Sequence, residues 1–226
     1  MKISEIRQRL SLTEQAHARL KKAIREGVLT QHRFYPLREL AEQLGVSRTP
    51  VREAAIKLAH EGLAEIVPQR GFRVRTIPPA EVTEVFELRR ILEGRAVEKL
   101  AERANRSDVR ALFTLLERQE RAIKDIPRFL DIDEEFHMRL LELSGLPRAR
   151  DFLVTLRDII CLLGLEALNV GGRTEEVLKE HTAIVEGIAR SNASEARQAL
   201  LLHLDSTRDK IKNTASAAEI EIANAE

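Results

Sequence analysis

The chain has 226 residues, 43% hydrophobic and 32% charged, with a formal net charge of +1. That length builds one small and one medium globular domain; there is no run of about 18 apolar residues and no apolar stretch after Met1-Lys2, which excludes a membrane-spanning or secreted class and makes the cytoplasm the expected compartment. Cys161, the single cysteine, excludes an internal disulfide and a cysteine-built zinc site, and its apolar neighbours mark it as a buried, inert thiol.

Leu12–Arg25 is predicted helical, with Ala16, Leu20, Ala23 and Ile24 on its apolar side and Gly27 as its stop. Residues 30–36 read as a loop of polar and aromatic groups. Leu37–Leu44 forms a short helix, Gly45 bends the chain, and a second helix runs over Ser47–Glu61. Ser47 is expected to cap that helix through its hydroxyl, and Pro50 in the first turn has no N–H that needs an internal partner. Arg48, Thr49 and Arg52 then face solvent, while Val51, Ala55 and Leu58 pack inward. A helix that enters the major groove by its N-terminal end, with arginine and threonine in its opening turns, carries the donors that phosphates and base edges require. Leu63–Val67 and Phe72–Arg75 alternate as two short strands around Pro68-Gln69-Arg70-Gly71, with Arg70, Arg73 and Arg75 on or beside the connecting wing. The front of the chain thus reads as a winged helix-turn-helix.

Thr76-Ile77-Pro78-Pro79 interrupts the pattern and separates a DNA-binding domain, residues 1–76, from a helical domain, residues 77–212. Helices are predicted near 80–104, 107–123, 126–143, 147–169, 173–190 and 193–212, and six antiparallel helices make a bundle around one core. The fold class is mainly α. Residues 213–226 have too few large side chains to anchor themselves and are expected to form a flexible tail. Charge follows the division: residues 1–76 hold 15 Lys/Arg against 8 Asp/Glu, and the rest hold 22 against 28. A basic front domain suits a polyanion, and the acidic rear domain is kept off its phosphates.

Within the helical domain, Asp133 and His137 stand four apart on a helix whose apolar positions include Phe129, Ile132, Phe136 and Leu140. His181 opens a stripe with Ile184, Val185 and Ile188, and His203 follows Ala196, Ala199 and Leu200 on an inward side. Burying four such groups without compensation is costly. One carboxylate and three imidazoles match zinc, nickel or a similar divalent ion. Spacing alone leaves two alternatives open, satisfied core histidines and a metal-free ligand pocket. His17, His32 and His60 lie in the front domain without partners at ligand spacing. Arg89 and Glu93 form an i,i+4 pair, read either as a structural ion pair or as Arg89 reaching a pocket to grip an acidic effector. Glu134 and Glu135 are expected at the surface, which leaves no general base beside the site and argues against a metal-dependent hydrolase.

The segments GVSRTPVREA (Gly45–Ala54), the Leu58–Leu63 stretch and RGFRV (Arg70–Val74) in the front, with LRRILEGRAVEKLA (Leu88–Ala101), DEEFHMRLLELSG (Asp133–Gly145), EHTAIVEGI (Glu180–Ile188) and His203 behind, resemble the GntR family of bacterial transcription regulators, in its FadR-like branch with the FCD effector domain. The resemblance implies operator contacts by Arg38, Ser47, Arg48, Thr49 and Arg52, with the wing tip at Arg70-Gly71 approaching the minor groove. It implies Asp133, His137, His181 and His203 as ligands of zinc, nickel or another divalent ion, a homodimer on palindromic double-stranded operator DNA, and a small carboxylic or sugar acid as effector. The chain departs from the family pattern at Gln31-His32, Tyr35, Leu37, Leu146 and Asn192. The expected function is a repressor released from DNA by its ligand; an activator of the same architecture, or a regulator whose metal only holds the bundle together, are the alternatives.

Overall fold

The computed structural model describes the backbone of residues 10–31, 33–168 and 171–223, and their side chains except at 157, 166 and 214–223. The expectations at His32 and for the helix end at Asn169 lie outside the described residues. The chain divides into two compact units between Thr76 and Ile77.

In the first unit, α1 (Leu12–Arg25) starts from a reciprocal cap in which the Glu14 N–H donates to Ser11 Oγ at 3.1 Å and the Ser11 N–H donates to Glu14 Oε2 at 2.7 Å. Its buried side, Ala16, Leu20 and Ile24, packs on α3 (Arg48–His60). Between them α2 (Leu37–Leu44) ends at Gly45, whose φ of 65° turns the chain into α3. Val51, Ala54, Ala55 and Leu58 form the inner face of α3.

Two local expectations are corrected here. Ser47 has the extended backbone of an N-cap, but its side chain makes no cap hydrogen bond. The third residue of the helix, whose N–H such a hydroxyl would accept, is Pro50, which has none. Residues 30–36 are not all loop: β1 (Phe34–Tyr35) pairs antiparallel with β3 (Gly71–Val74), which also pairs with β2 (Ala64–Val67), giving the order β1-β3-β2. Tyr35 tilts against Phe72 with ring centroids 6.4 Å apart, an aromatic contact that two residues of alternation do not reveal. Gly71 has a φ of +106°, and a Cβ there would lie 2.5 Å from the Tyr35 carbonyl oxygen, so the wing closes on β1 only at glycine.

The second unit consists of α4 (Pro79–Arg103), α5 (Arg106–Arg121), α6 (Ile126–Ser144), α7 (Pro147–Leu168), α8 (Arg173–Ala189) and α9 (Ala193–Ala223). Asn105 and Asp125 cap α5 and α6, and Gly145 ends α6 in the left-handed conformation. Helix α9 runs past Lys212, where the sequence reading ended it; residues 213–223 contain no glycine or proline and are rich in alanine, which favours continuation. It lies antiparallel to α4, as the pairs Arg90–Asp205 at 2.6 Å and Arg197–Glu98 at 3.0 Å require. It also packs closely on α8: a Cβ at Gly187 would lie 2.7 Å from the backbone of Ala196. Cys161 is buried in α7. No helix among the described residues is long and apolar enough to cross a membrane.

Candidate metal centre and nucleic-acid interface

Helices α6, α8 and α9 each turn one histidine into the interior. His137, His181 and His203 are 3%, 0% and 2% exposed, and one nitrogen of each lies within 4.8 Å of the others. Phe136 stacks on the His181 ring at 4.1 Å between centroids and limits its rotation. Asp133, one turn before His137, places Oδ1 3.5 Å from His181 Nε2 and Oδ2 3.9 Å from His137 Nε2. The four residues singled out in the sequence therefore meet at one place.

Each imidazole is held from behind by an acceptor. His137 Nδ1 donates to Glu93 Oε2 at 2.6 Å, His181 Nδ1 to Gln119 Oε1 at 2.9 Å, and His203 Nδ1 to Glu180 Oε2 at 2.7 Å. With the proton on Nδ1, the lone pair sits on Nε2. The Nε2 atoms of His137 and His181 are buried and have no hydrogen-bond partner. Two orphaned lone pairs beside a third imidazole and a carboxylate call for a cation, and acceptors behind Nδ1 are the arrangement that orients metal-binding histidines. The donor set fits a divalent ion.

The acceptors are themselves fixed. Arg89 Nε donates to Glu93 Oε1 at 2.6 Å, and Arg173 donates to both oxygens of Glu180 at 2.6 and 2.9 Å and to Thr207 Oγ1 at 2.8 Å. Burial raises the pKa of both carboxyl groups, but the guanidinium and imidazole beside each outweigh it and hold Glu93 and Glu180 at about 2. Burial lowers His181 well below the usual histidine range, reinforced by His203 and His137; burial also lowers His203, only partly offset by its bond to Glu180.

A narrow cavity of ≈ 30 Å³ adjoins the cluster, lined by Arg89, Asp133, Arg173 and His203 among apolar residues. Arg89 is the i,i+4 ion-pair partner of Glu93 and also lines the cavity. Glu134, expected at the surface, is half-buried and lines an adjoining cleft with Asp133 and His137, because the groove beside α7 reaches past the Asp133 face of α6. Glu135 is exposed and pairs with Arg118 at 2.8 Å.

Sequence reasoning missed Gln119, Glu180 and Arg173, and took Glu93 only as the mate of Arg89. A signal existed for two of them: Gln119 is a polar residue on the inward face of α5, and Glu180 adjoins His181. Arg173, fully buried at the start of α8, carried none.

In the first unit, Ser47, Arg48, Thr49 and Arg52 are exposed along the start of α3. Arg38 is exposed on α2 and pairs with Glu42 at 2.8 Å. Arg70 is exposed at the wing turn and lies 5.1 Å over the Phe34 ring, with Arg73 at 5.3 Å from the same ring. His17 pairs with Glu61 at 2.7 Å, a structural contact between α1 and the end of α3.

Residues 12–74 match the family described as bacterial regulatory proteins, gntR family, and residues 84–206 match the FCD domain. Over 202 residues the chain is 28% identical to the HTH-type transcriptional regulator YdhC of Bacillus subtilis (strain 168), covering 88% of this chain and 90% of that protein. Over 177 residues it is 28% identical to the HTH-type transcriptional repressor RspR of Escherichia coli (strain K12), covering 77% and 78% of the two. The solved structure of E. coli McbR/YncC has the same fold, with a TM-score of 0.73 at 22% identity, covering 92% of this chain and 100% of that one.

Proposed function

The chain belongs to the GntR family of bacterial transcription regulators and carries an FCD domain, and from that premise we propose that it is a repressor which a small carboxylic or sugar acid releases from its operator. It is a transcription regulator and not an enzyme. The observation that carries the sensing half is the convergence of three back-tethered imidazoles, two with orphaned Nε2 atoms, beside a narrow cavity.

His137, His181, His203 and Asp133 hold a divalent ion, zinc or nickel. When bound, that ion supplies a positive anchor for an anionic group. Arg89 and Arg173 border the same space. Ser47, Arg48, Thr49 and Arg52 contact the operator, with Arg38 on α2 and Arg70-Gly71 at the wing. The Ser47 hydroxyl, relieved of a capping role by Pro50, is available to a phosphate. Two copies of the chain bind a palindrome, because half-sites one duplex turn apart demand two recognition helices at a set spacing. Acid binding favours an arrangement with another spacing, and a coupling of about 1–3 kcal/mol changes operator affinity roughly 5- to 150-fold.

The test is an operator gel shift with zinc-loaded protein and candidate acids. Release on adding acid is expected, and tighter binding overturns the release sense. Arg52→Ala is expected to weaken the shift while leaving the melting transition in place; normal binding by this variant overturns the helix assignment. The narrowness of the cavity favours a second reading, a metal that holds the bundle together while the effector binds elsewhere. In that case chelation lowers Tm without changing acid affinity.

A further inference from the structure

Resting on the acid-sensing reading above, we infer that the effector is a short-chain monocarboxylate with an apolar body, not a sugar acid and not a dicarboxylate. The walls carry the first step. Phe86, Leu130, Ile160, Leu163, Ala167 and Val177 line the main cavity. The adjoining cleft is lined mainly by Leu130, Met138, Leu153 and Ile160, with Glu134 and His137 at its polar end, and shares Arg89 and Asp133 with the main cavity. Both spaces therefore open on one polar corner. Among the described lining residues Thr207 is the single neutral hydroxyl, and its oxygen already accepts from Arg173 at 2.8 Å. A polyhydroxylated acid placed here leaves several hydroxyls facing hydrocarbon without partners, each losing its hydration uncompensated.

Charge carries the second step. Among the described lining residues the two arginines are committed: Arg89 to Glu93 at 2.6 Å, and Arg173 to both oxygens of Glu180. Each pair cancels, and Asp133 adds a negative group at the same corner. The surplus positive charge is that of the ion held by the histidines, which suffices for one carboxylate. Arg173 keeps one buried donor, Nε, with no acceptor, which matches one further oxygen of that same carboxylate. A second carboxylate would lie against apolar walls with no further cation among the described lining residues to pair it, at the cost of stripping a charge of water. The narrow space selects a short body.

The experiment is calorimetric titration of the full chain, loaded with zinc, with 3-methylbutanoate, benzoate, gluconate and succinate. The apolar monocarboxylates are expected to bind roughly 100-fold tighter than gluconate, the discrimination that a stranded hydroxyl or unpaired group imposes. Gluconate or succinate binding as tightly as the apolar acids overturns this inference and leaves acid sensing intact. Binding by none of the four overturns acid sensing itself. Ala167→Leu, which fills the cavity away from the histidines, is expected to abolish acid binding while zinc stoichiometry stays unchanged. Val177→Thr, of nearly the same shape, covers the case in which the larger side chain prevents folding, and is expected to narrow the preference for the apolar acids. Unchanged acid binding in a folded Ala167→Leu, or an unchanged preference in Val177→Thr, places the acid elsewhere and overturns the inference.

Discussion

His203 is fixed by contacts that begin one helix earlier in the sequence: Arg173 grips both oxygens of Glu180, and Glu180 accepts from His203 Nδ1 at 2.7 Å. Arg89, Glu93 and His137 repeat the same arrangement on α4 and α6. In each, the carboxylate settles which imidazole nitrogen carries the proton and which way the ring faces, so its contribution to metal binding is made through the histidine. Glu180→Gln keeps the size but replaces an anion with an amide that accepts more weakly. Zinc affinity, measured by competition with a chromogenic chelator, is expected to fall about 10- to 100-fold, the usual effect of losing such a partner. An unchanged affinity would show that His203 needs no orientation from behind.

At the scale of elements, α8 and α9 approach closely at Gly187. This approach brings His181 and His203 to 4.6 Å between ring centroids. Gly187 has a helical backbone, so its lack of a side chain serves space and not conformation: a Cβ would meet the Ala196 backbone, which cannot rotate away. Gly187→Ala is expected to wedge the helices apart at a cost of about 1–3 kcal/mol, read as a lowered Tm, and to weaken zinc binding in parallel. A variant with native Tm and zinc affinity would mean that α9 shifts along α8 without penalty. At Gly164 the crowding is milder, because a Cβ would meet the far end of the flexible Leu130 side chain.

For the whole molecule, the buried imidazoles make stability depend on pH. His181 and His203 have folded pKa values below the unfolded value of 6.5, so the unfolded chain takes up protons that the fold excludes. Their contribution is complete above about pH 6.5 and is lost as pH falls below it. In chelated protein, Tm followed by circular dichroism is expected to fall as pH drops below 6.5, with His181, the more strongly lowered of the two, contributing more than His203. Below pH 4.5, Glu93 and Glu180, whose folded values are about 2, add to the loss. A Tm independent of pH between 7 and 5 would mean that the histidines are solvated. Zinc stabilises most at neutral pH and least in acid, since protons compete for the same Nε2 atoms.

The amino-acid sequence by itself determined what local forces determine: the bounds of α1 and α2, the Gly45 bend, the exposed face of α3, and the inward placement of Asp133, His137, His181 and His203 on their helices. Capping, glycine turns and apolar periodicity act within a turn or two of chain, and a single sequence carries them. The tertiary structure alone decided the partners: β1 on β3, Glu93 behind His137 across 44 residues, Gln119 behind His181 across 62, and the apolar walls that α7 brings to the histidines. The Ser47 cap, by contrast, failed for a local reason that the sequence did carry, the missing N–H of Pro50. Periodicity tells which face of a helix is inside; which polar group waits opposite depends on how the helices are laid against one another, and no spacing along the chain encodes that.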